Sequence, residues 1–197
     1  MDTIMVRPNS PLIRAFIAVE LEPQIKEELA KIQEVLKTSQ ADVKWVEPVN
    51  LHITLKFLGQ TPIEKIEKIN QLLKDSLSHF SPFPLSLKTL GAFPKINYPR
   101  VIWVGAFSPE NKLNTLADLV EGKLVSLKFP KEKRDFQSHI TLGRVRSTKN
   151  QARLIELIQG TQVQEKTMMV ASLTFFKSHL SAKGSIYQPI FKINLGR

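Results

Sequence analysis

The chain has 197 residues and no cysteine, which excludes disulfide bonds, a thiolate nucleophile and thiolate metal ligands. It also lacks any apolar run of about 18 residues and any charged-then-apolar leader, so we predict a cytoplasmic protein outside the membrane. A Gly-rich phosphate loop, a Gly-x-Ser-x-Gly nucleophile turn and a Rossmann fingerprint are missing as well. Any catalysis must therefore come from other groups.

Acidic residues are in the minority, with 18 Asp and Glu against 28 Lys and Arg and a formal charge of +10. Such an excess attracts polyanions, so nucleic acid is the partner that the charge favours. The excess is concentrated between Lys123 and Lys149, where eight basic residues accompany only Glu132 and Asp135. A solvated, lysine-rich surface is the alternative interpretation.

The order of apolar patterns predicts an α+β fold in one domain over residues 1–197. We expect strands at 12–21, 43–46, 51–58, 84–90, 101–107, 138–145, 168–180 and 186–195. Helices are expected after Pro23, after Thr61-Pro62, after Ser108-Pro109 and over 151–159. The connection from 91 to 100 reads as a long loop that overhangs a cleft, and 183–185 reads as a turn.

One tetrapeptide, His-Ile-Thr-Leu, occurs twice, at 52–55 and 139–142, each time inside a strand-like segment. Alternate residues of a strand share a face, so each copy presents a histidine and a threonine together. The halves of the chain also repeat the order of helix, loop and histidine strand. We therefore predict a bilobal, pseudo-twofold duplicated fold, in which two antiparallel sheets face a central cleft and the helices pack outside.

Paired histidines and threonines suit proton transfer around a phosphate, with His52 and His139 as the catalytic candidates. The chain has four histidines; we interpret His79 as a surface residue or a charge partner of a helix C-terminus, and His179, in a late strand, as structural. A metal site is the main rival, because imidazole is a common zinc and iron ligand. Neither motif histidine has an Asp, Glu or further His within four residues, so we predict no metal and no cofactor.

Several segments together resemble the two-histidine phosphoesterases, and within them the RNA 2′,3′-cyclic phosphodiesterases, also called 2′-5′ RNA ligases. They are RAFIA at 14–18, LHITLKFLG at 51–59, GAFP at 91–94, PRVIW at 99–103, FQSHITLGR at 136–144 and GSIY at 184–187. The resemblance implies that His52 and His139 are catalytic and that Thr54 and Thr141 bind the phosphate.

The resemblance also implies that Phe57 and Arg144, each five residues after its histidine, contact the substrate. Strict alternation turns both side chains away from the histidine face. Their contact with substrate requires a bulge or a strand end, and Gly143 is a plausible cause in the second copy.

The expected reaction is metal-independent hydrolysis of an RNA 2′,3′-cyclic phosphate end to a 2′-phosphate, with His52 as acid and His139 as base. The reverse 2′-5′ joining of RNA ends, or hydrolysis of another cyclic or 2′-5′ linked nucleotide, is the alternative enzymatic reading. A basic protein that binds RNA ends without turnover is the non-enzymatic alternative. The expected partner is RNA with a cyclic phosphate terminus; no obligate protein partner is indicated, a monomer is compatible with the sequence, and the oligomeric state is left open.

Overall fold

The computed structural model describes residues 10–181 and 184–196, and these contain nine strands and four α-helices. The strands are β1 (Leu12–Glu20), β2 (Val43–Trp45), β3 (His52–Pro62), β4 (Phe83–Lys95), β5 (Tyr98–Phe107), β6 (His139–Val145), β7 (Thr167–Val170), β8 (Ser172–Ser181) and β9 (Gly184–Asn194). The α-helices are α1 (Pro23–Lys37), α2 (Ile66–Leu77), α3 (Lys112–Val125) and α4 (Gln151–Gly160). Short 3₁₀ turns cover Pro48–Asn50, Ile63–Lys65 and Pro109–Asn111.

The strands form two antiparallel sheets with the orders β3-β1-β8-β9 and β2-β6-β5-β4-β7. Leaving aside β2, the two orders correspond: a histidine strand at one end, its partner β1 or β5 next, and two further strands beyond. This correspondence confirms the predicted α+β class and the duplicated pair of antiparallel sheets.

The helices bury the apolar stripes that the sequence predicts. Helix α1 has Pro23 at its first position and buries Ile25, Leu29, Ile32 and Leu36, and α3 buries Leu113, Leu116, Val120 and Leu124. Each such leucine or isoleucine contributes about 1.5–3 kcal/mol through its removal from water. These side chains share one core with the Ile and Leu of both His-Ile-Thr-Leu motifs, so the opposite faces of the motif strands are left for the site.

The start of the second helix differs from the prediction. Thr61 and Pro62 end β3, a 3₁₀ turn follows, and α2 begins only at Ile66. Ile63 is therefore 47% exposed and outside the buried stripe, which runs through Ile69, Leu73 and Leu77. The expectation of a helix directly after Thr61-Pro62, with Thr61 as its N-cap, was wrong because Thr61 belongs to the strand and pairs with Ile13 of β1.

Two connections also differ from the prediction. Strands β4 and β5 extend to Lys95 and Tyr98, so the expected long overhanging loop is a hairpin turned at Ile96 and Asn97. The expected single strand over 168–180 is divided at Ala171 into β7 and β8, which belong to different sheets. The predicted turn at 183–185 lies partly outside the described residues, because Lys183 is not among them, and Gly184 and Ser185 already belong to β9.

No helix in the described part of the chain has both the length and the apolar character that crossing a bilayer requires.

Candidate active site

The two motif strands present the same sequence of buried and accessible residues. In β3 and in β6 the histidine and threonine are partly accessible, whereas the Ile and Leu between and after them are buried. Residues of β3 and β6 approach within 8 Å between Cα atoms, although the strands belong to different sheets. The two motif strands are therefore near each other although they come from different halves of the fold, and His139 is close enough to His52 to affect its pKa.

Each motif strand contains a β-bulge at its motif leucine. Along β3, Thr54 pairs with Ala18 and Lys56 with Ile17, so Leu55 has no partner residue. Along β6, Thr141 pairs with Trp103 and Gly143 with Ile102, which leaves Leu142 without one. An extra residue shifts the alternation by one, so the residues after each bulge change faces.

The shift places Phe57 and Arg144 on the histidine side of their strands. Both are exposed, whereas the preceding residues, Lys56 and Gly143, are buried on the core side. The positive charge of Arg144 acts on His139. The bulge that Phe57 and Arg144 need in order to lie on the histidine face is thus present in both copies of the motif. In the second copy a Cβ on Gly143 would lie 2.7 Å from Val43 Cγ1, so glycine is needed there for close packing.

The two imidazoles are held by the same local hydrogen bond. His52 Nδ1–H donates to the carbonyl oxygen of Asn50, and His139 Nδ1–H donates to that of Gln137, each at 2.6 Å. We assign the proton to Nδ1 because a carbonyl only accepts. In both neutral rings Nε2 is then the atom with a free lone pair.

The surroundings of the two Nε2 atoms differ. His52 Nε2 lies 2.9 Å from Thr54 Oγ1, a hydrogen bond within the motif itself. Among residues 10–181 and 184–196, His139 Nε2 has no hydrogen-bond partner. Of the two rings, His139 thus has the nitrogen that is free to take a proton.

Aromatic rings restrain both histidines. The His52 ring is 5.2 Å from Tyr187 at 90° and 4.9 Å from Phe16. The His139 ring is 5.2 Å from Phe93 at 86°, an edge-to-face contact. These aromatic residues were not predicted as site residues, although the segments that contain them at 14–18, 91–94 and 184–187 were identified in the sequence.

Burial lowers the pKa of both histidines from the ordinary value, because a desolvated imidazole resists protonation. The carbonyls of Asn50 and Gln137 act in the opposite direction and raise each pKa. Lys26 and His139 lower the pKa of His52 further, and Arg144 lowers that of His139. That His52 responds to His139 shows that the two rings are electrostatically coupled.

The carbonyl partners of the histidines are themselves fixed by side chains. Asn50 Nδ2 donates to the Ser185 carbonyl, and Lys26 Nζ donates to the carbonyl of Val49 next to it. On the other side, Ser138 Oγ donates to the Ala106 carbonyl at 2.7 Å. Sequence reasoning missed these supporting residues. The sequence did offer a local signal for the carbonyls, because each belongs to the residue two positions before its histidine.

A buried ion pair links the first motif strand to the basic segment, by which we mean residues 128–134 between α3 and β6. Lys56 Nζ lies 2.8 Å from Glu121 Oε1 and donates to the Pro130 carbonyl, and the same Glu121 oxygen accepts the Glu132 N–H. Burial acts to raise the pKa of Glu121, but the hydrogen bonds from Lys56 and Glu132 outweigh it and lower the pKa. The segment is thereby anchored, while the side chains at Lys131, Lys133 and Arg134 remain exposed.

The remaining histidines are separate from this constellation. His79 is exposed, in agreement with its interpretation as a surface residue, and His179, which was interpreted as structural, is exposed as well. In the described part of the chain no group of three or more His, Cys, Asp or Glu residues is arranged to hold a metal ion.

Comparison with known proteins identifies the family. The model of the LigT like phosphoesterase family matches residues 19–103 and 106–187. The chain is 38% identical over 179 residues to an RNA 2′,3′-cyclic phosphodiesterase of Methanothermobacter thermautotrophicus, covering 89% of this chain and 95% of that protein. A protein of the same name from Methanocaldococcus jannaschii is 38% identical, with 90% and 98% covered.

Solved structures show the same architecture. A Thermus thermophilus protein superimposes with a TM-score of 0.77 at 26% identity, covering 93% of this chain and 98% of that one. Escherichia coli LigT in its apo form gives a TM-score of 0.76 at 24% identity, covering 95% of this chain and 100% of that one. This similarity is evidence of a shared fold. The chain belongs to the LigT like phosphoesterase family, as its two-histidine motifs predict.

Proposed function

We propose that the protein hydrolyses 2′,3′-cyclic phosphate ends of RNA to 2′-phosphates by two-histidine acid–base catalysis that requires no metal. The observation that carries the proposal is the pair of imidazoles, each with Nδ1–H anchored on a carbonyl at 2.6 Å, which leaves Nε2 as the atom for proton transfer; Nε2 of His52 contacts the Thr54 hydroxyl. Two family relatives that are 38% identical over about nine-tenths of the chain have this activity in their names.

In the proposed reaction, water attacks the phosphorus and the bond from phosphorus to O3′ breaks. His139 Nε2 accepts the proton of the attacking water. His52 acts in its doubly protonated form, with a proton on Nε2 as well as on Nδ1, and donates the Nε2 proton to the departing O3′. The unpartnered Nε2 of His139 supports its role as base. The lowered pKa of His139 supports the same role, since the ring is neutral near pH 7 before substrate binds.

The neighbouring groups suit the phosphate. We assign Thr54, Thr141 and Arg144 to its non-bridging oxygens, because a hydroxyl and a guanidinium both donate hydrogen bonds to an anion. The Thr54 hydroxyl is already within 2.9 Å of His52 Nε2, so a phosphate held by Thr54 lies beside the proposed acid.

We assign Phe57 to the nucleoside part of the substrate. Phe57 is 58% exposed, and its ring centroid is 6.2 Å from that of Phe16. Bases stack on exposed aromatic rings with about 1–3 kcal/mol each. The anchored basic segment with Lys131, Lys133 and Arg134 is assigned to the phosphates of the adjoining RNA strand.

A synthetic RNA ending in 2′,3′-cyclic phosphate, incubated in ¹⁸O-labelled water, tests this function. We expect a 2′-phosphate that carries one ¹⁸O, measured by mass spectrometry and ³¹P NMR. A 3′-phosphate would show that O2′ leaves instead. Binding without any turnover would show a protein that only holds RNA ends. Formation of a 2′-5′ linkage with a 5′-hydroxyl RNA would establish the joining reaction, in which that hydroxyl attacks phosphorus in place of water and the two imidazoles keep the same roles.

A further inference from the structure

The imidazole of His139 has fewer polar restraints than that of His52. His52 is fixed at both ring nitrogens, by Asn50 and by Thr54. His139 is fixed by a hydrogen bond at Nδ1 only. One hydrogen bond leaves the ring free to tilt about its own axis, so a further contact must define where Nε2 points.

That contact is made by Phe93, which comes from β4 although His139 is on β6. The two rings are 5.2 Å apart at an interplanar angle of 86°. On its other side, the Phe93 ring is 5.1 Å from the Trp103 indole and tilted from it by 34°. The three rings form a continuous series of contacts across three neighbouring strands.

The position of the Trp103 indole depends in turn on Gly91, its cross-strand partner, because the indole occupies the space where a side chain at residue 91 would lie. A Cβ on Gly91 would lie 2.5 Å from Trp103 Cζ2 and 2.6 Å from Cη2, which no real contact permits. Glycine at this position therefore leaves room for the indole on the sheet. Gly105, which pairs with His139 itself, has its Cβ position 3.4 Å from Trp103 Cζ3.

We propose that Phe93 is a positioning residue for His139, supported by Trp103 seated on Gly91. This inference rests on the proposed function only for its kinetic consequences. The Phe93 ring fixes the imidazole plane, so that the unpartnered Nε2 faces the cleft, and it keeps water from one side of the ring. In the other lobe Tyr187 contacts His52 at nearly the same distance and angle, 5.2 Å and 90°, so both imidazoles have an edge-to-face restraint.

Few charged groups act on His139, so a change in its titration can be assigned to a cause. Arg144 on β6 acts on it, and His52 on β3 lies across from it. Phe93 of β4, which contacts the His139 ring, and Gly105 of β5, which pairs with His139, are both uncharged. A change at Phe93 thus alters solvation and ring orientation without adding or removing a charge.

The test uses ¹³C- and ¹⁵N-labelled histidine in the full chain, with the His139 signal assigned by its loss in His139→Gln. In Phe93→Leu we expect the pKa of His139 to rise toward the ordinary value, because water reaches the ring, and the ring-current shift of its signal to disappear. Phe93→Tyr, which keeps the ring, should retain the wild-type titration. Steady-state rates should show kcat reduced about 10- to 100-fold, as expected for a misplaced base, with KM within about twofold of wild type.

Gly91→Ala provides an independent variant that leaves Phe93 in place. It should reproduce the His139 shift by displacing Trp103, whereas Gly122→Ala, where a Cβ meets nothing within 4 Å, should not. If a folded Phe93→Leu or Gly91→Ala protein keeps the wild-type titration and kcat, the proposal is wrong. Because the NMR titration needs no turnover, a protein without hydrolytic activity would contradict the proposed function and still decide this inference.

Discussion

Leu55 and Leu142 are the unpaired residues of two equivalent β-bulges, one in each histidine strand. Both leucines are buried in the common core, so each bulge is fixed by apolar packing rather than by a polar contact. The consequence lies two residues further on, where Phe57 and Arg144 are returned to the histidine face. The duplicated motif thus repeats a backbone irregularity together with its residue types.

The first prediction concerns the histidines. His52→Ala and His139→Ala should each lower kcat by about 10²–10⁴, the usual contribution of a positioned acid or base. The double variant should lose less than the product of the two single losses, because both groups act in one step. Initial rates on a cyclic-phosphate RNA measure this.

His79→Ala is the matched control for those variants, since His79 is exposed and outside the site. Its rate should equal that of the wild type. Near-normal turnover by either His52→Ala or His139→Ala would remove that residue from the proposed mechanism.

The second prediction concerns metals. Hydrolysis should continue unchanged in excess EDTA, because the groups around each motif histidine are hydroxyls and backbone carbonyls rather than carboxylates. The measurement is the initial rate before and after dialysis against chelator. Loss of activity that one divalent ion restores would mean that the histidines are metal ligands.

The third prediction concerns pH. The pKa values of His52 and His139 are both lowered below 6.5 by burial. The base must be neutral and the acid protonated, so kcat/KM is greatest midway between the two pKa values of the free enzyme. The kcat/KM profile should therefore have its maximum below pH 6.5 and fall on both sides. A maximum above pH 7 would show that these two groups do not control the reaction.

The strand positions of the motifs could be predicted because their signals are local. Alternation within His-Ile-Thr-Leu fixes which residues are buried, and the burial of Ile53 and Ile140 follows it. The face on which Phe57 and Arg144 lie was harder to predict, since a bulge depends on how the strand packs against its partner. Gly143 indicated a bulge in the second copy, whereas Lys56 at the equivalent position of the first copy gave no such signal.

The contacts that orient the histidines could not be predicted, because they join residues far apart in the sequence. Phe93 reaches His139 from another strand, and Tyr187 reaches His52 from the last strand. The hairpin between β4 and β5 was missed for a related reason. Pro94 and Pro99 indicate a break in a strand, yet here they pair with each other beside the turn.

The fourth prediction concerns the buried ion pair. The side chains of Lys56 and Glu121 are 1% and 16% exposed. Lys56→Met should lower the free energy of unfolding by about 1–3 kcal/mol, because it leaves the partly buried Glu121 without its ammonium partner, and the double variant Lys56→Met/Glu121→Leu should recover much of the loss. Urea denaturation measures both.

The exposed pair Lys88–Glu165, with side chains 46% and 61% exposed, is the control. Lys88→Met should change the free energy of unfolding little, because solvent screens an exposed ion pair. A loss in Lys56→Met as small as that in Lys88→Met would show that the buried pair does not stabilise the fold.

The last prediction concerns how RNA is held. Each phosphate neutralised by Lys or Arg adds about −0.7 to the log–log salt dependence of single-strand binding. A longer RNA should thus lose affinity with salt more steeply than a cyclic mononucleotide. Lys131→Ala and Lys133→Ala should each reduce the slope for the longer RNA and leave mononucleotide turnover unchanged, since both side chains are exposed on the anchored basic segment.

Arg144→Ala should differ from both, because Arg144 acts directly on His139. It should reduce turnover of the mononucleotide as well as of the RNA. Lys31→Ala on α1, a lysine that is 73% exposed, is the control for a cation outside the segment and should change neither slope nor rate. Equal salt slopes for the two substrates would identify the basic segment as a solvated surface. Unchanged mononucleotide kinetics in Arg144→Ala would separate Arg144 from the reacting phosphate, since a residue that holds that phosphate acts on every substrate that contains it.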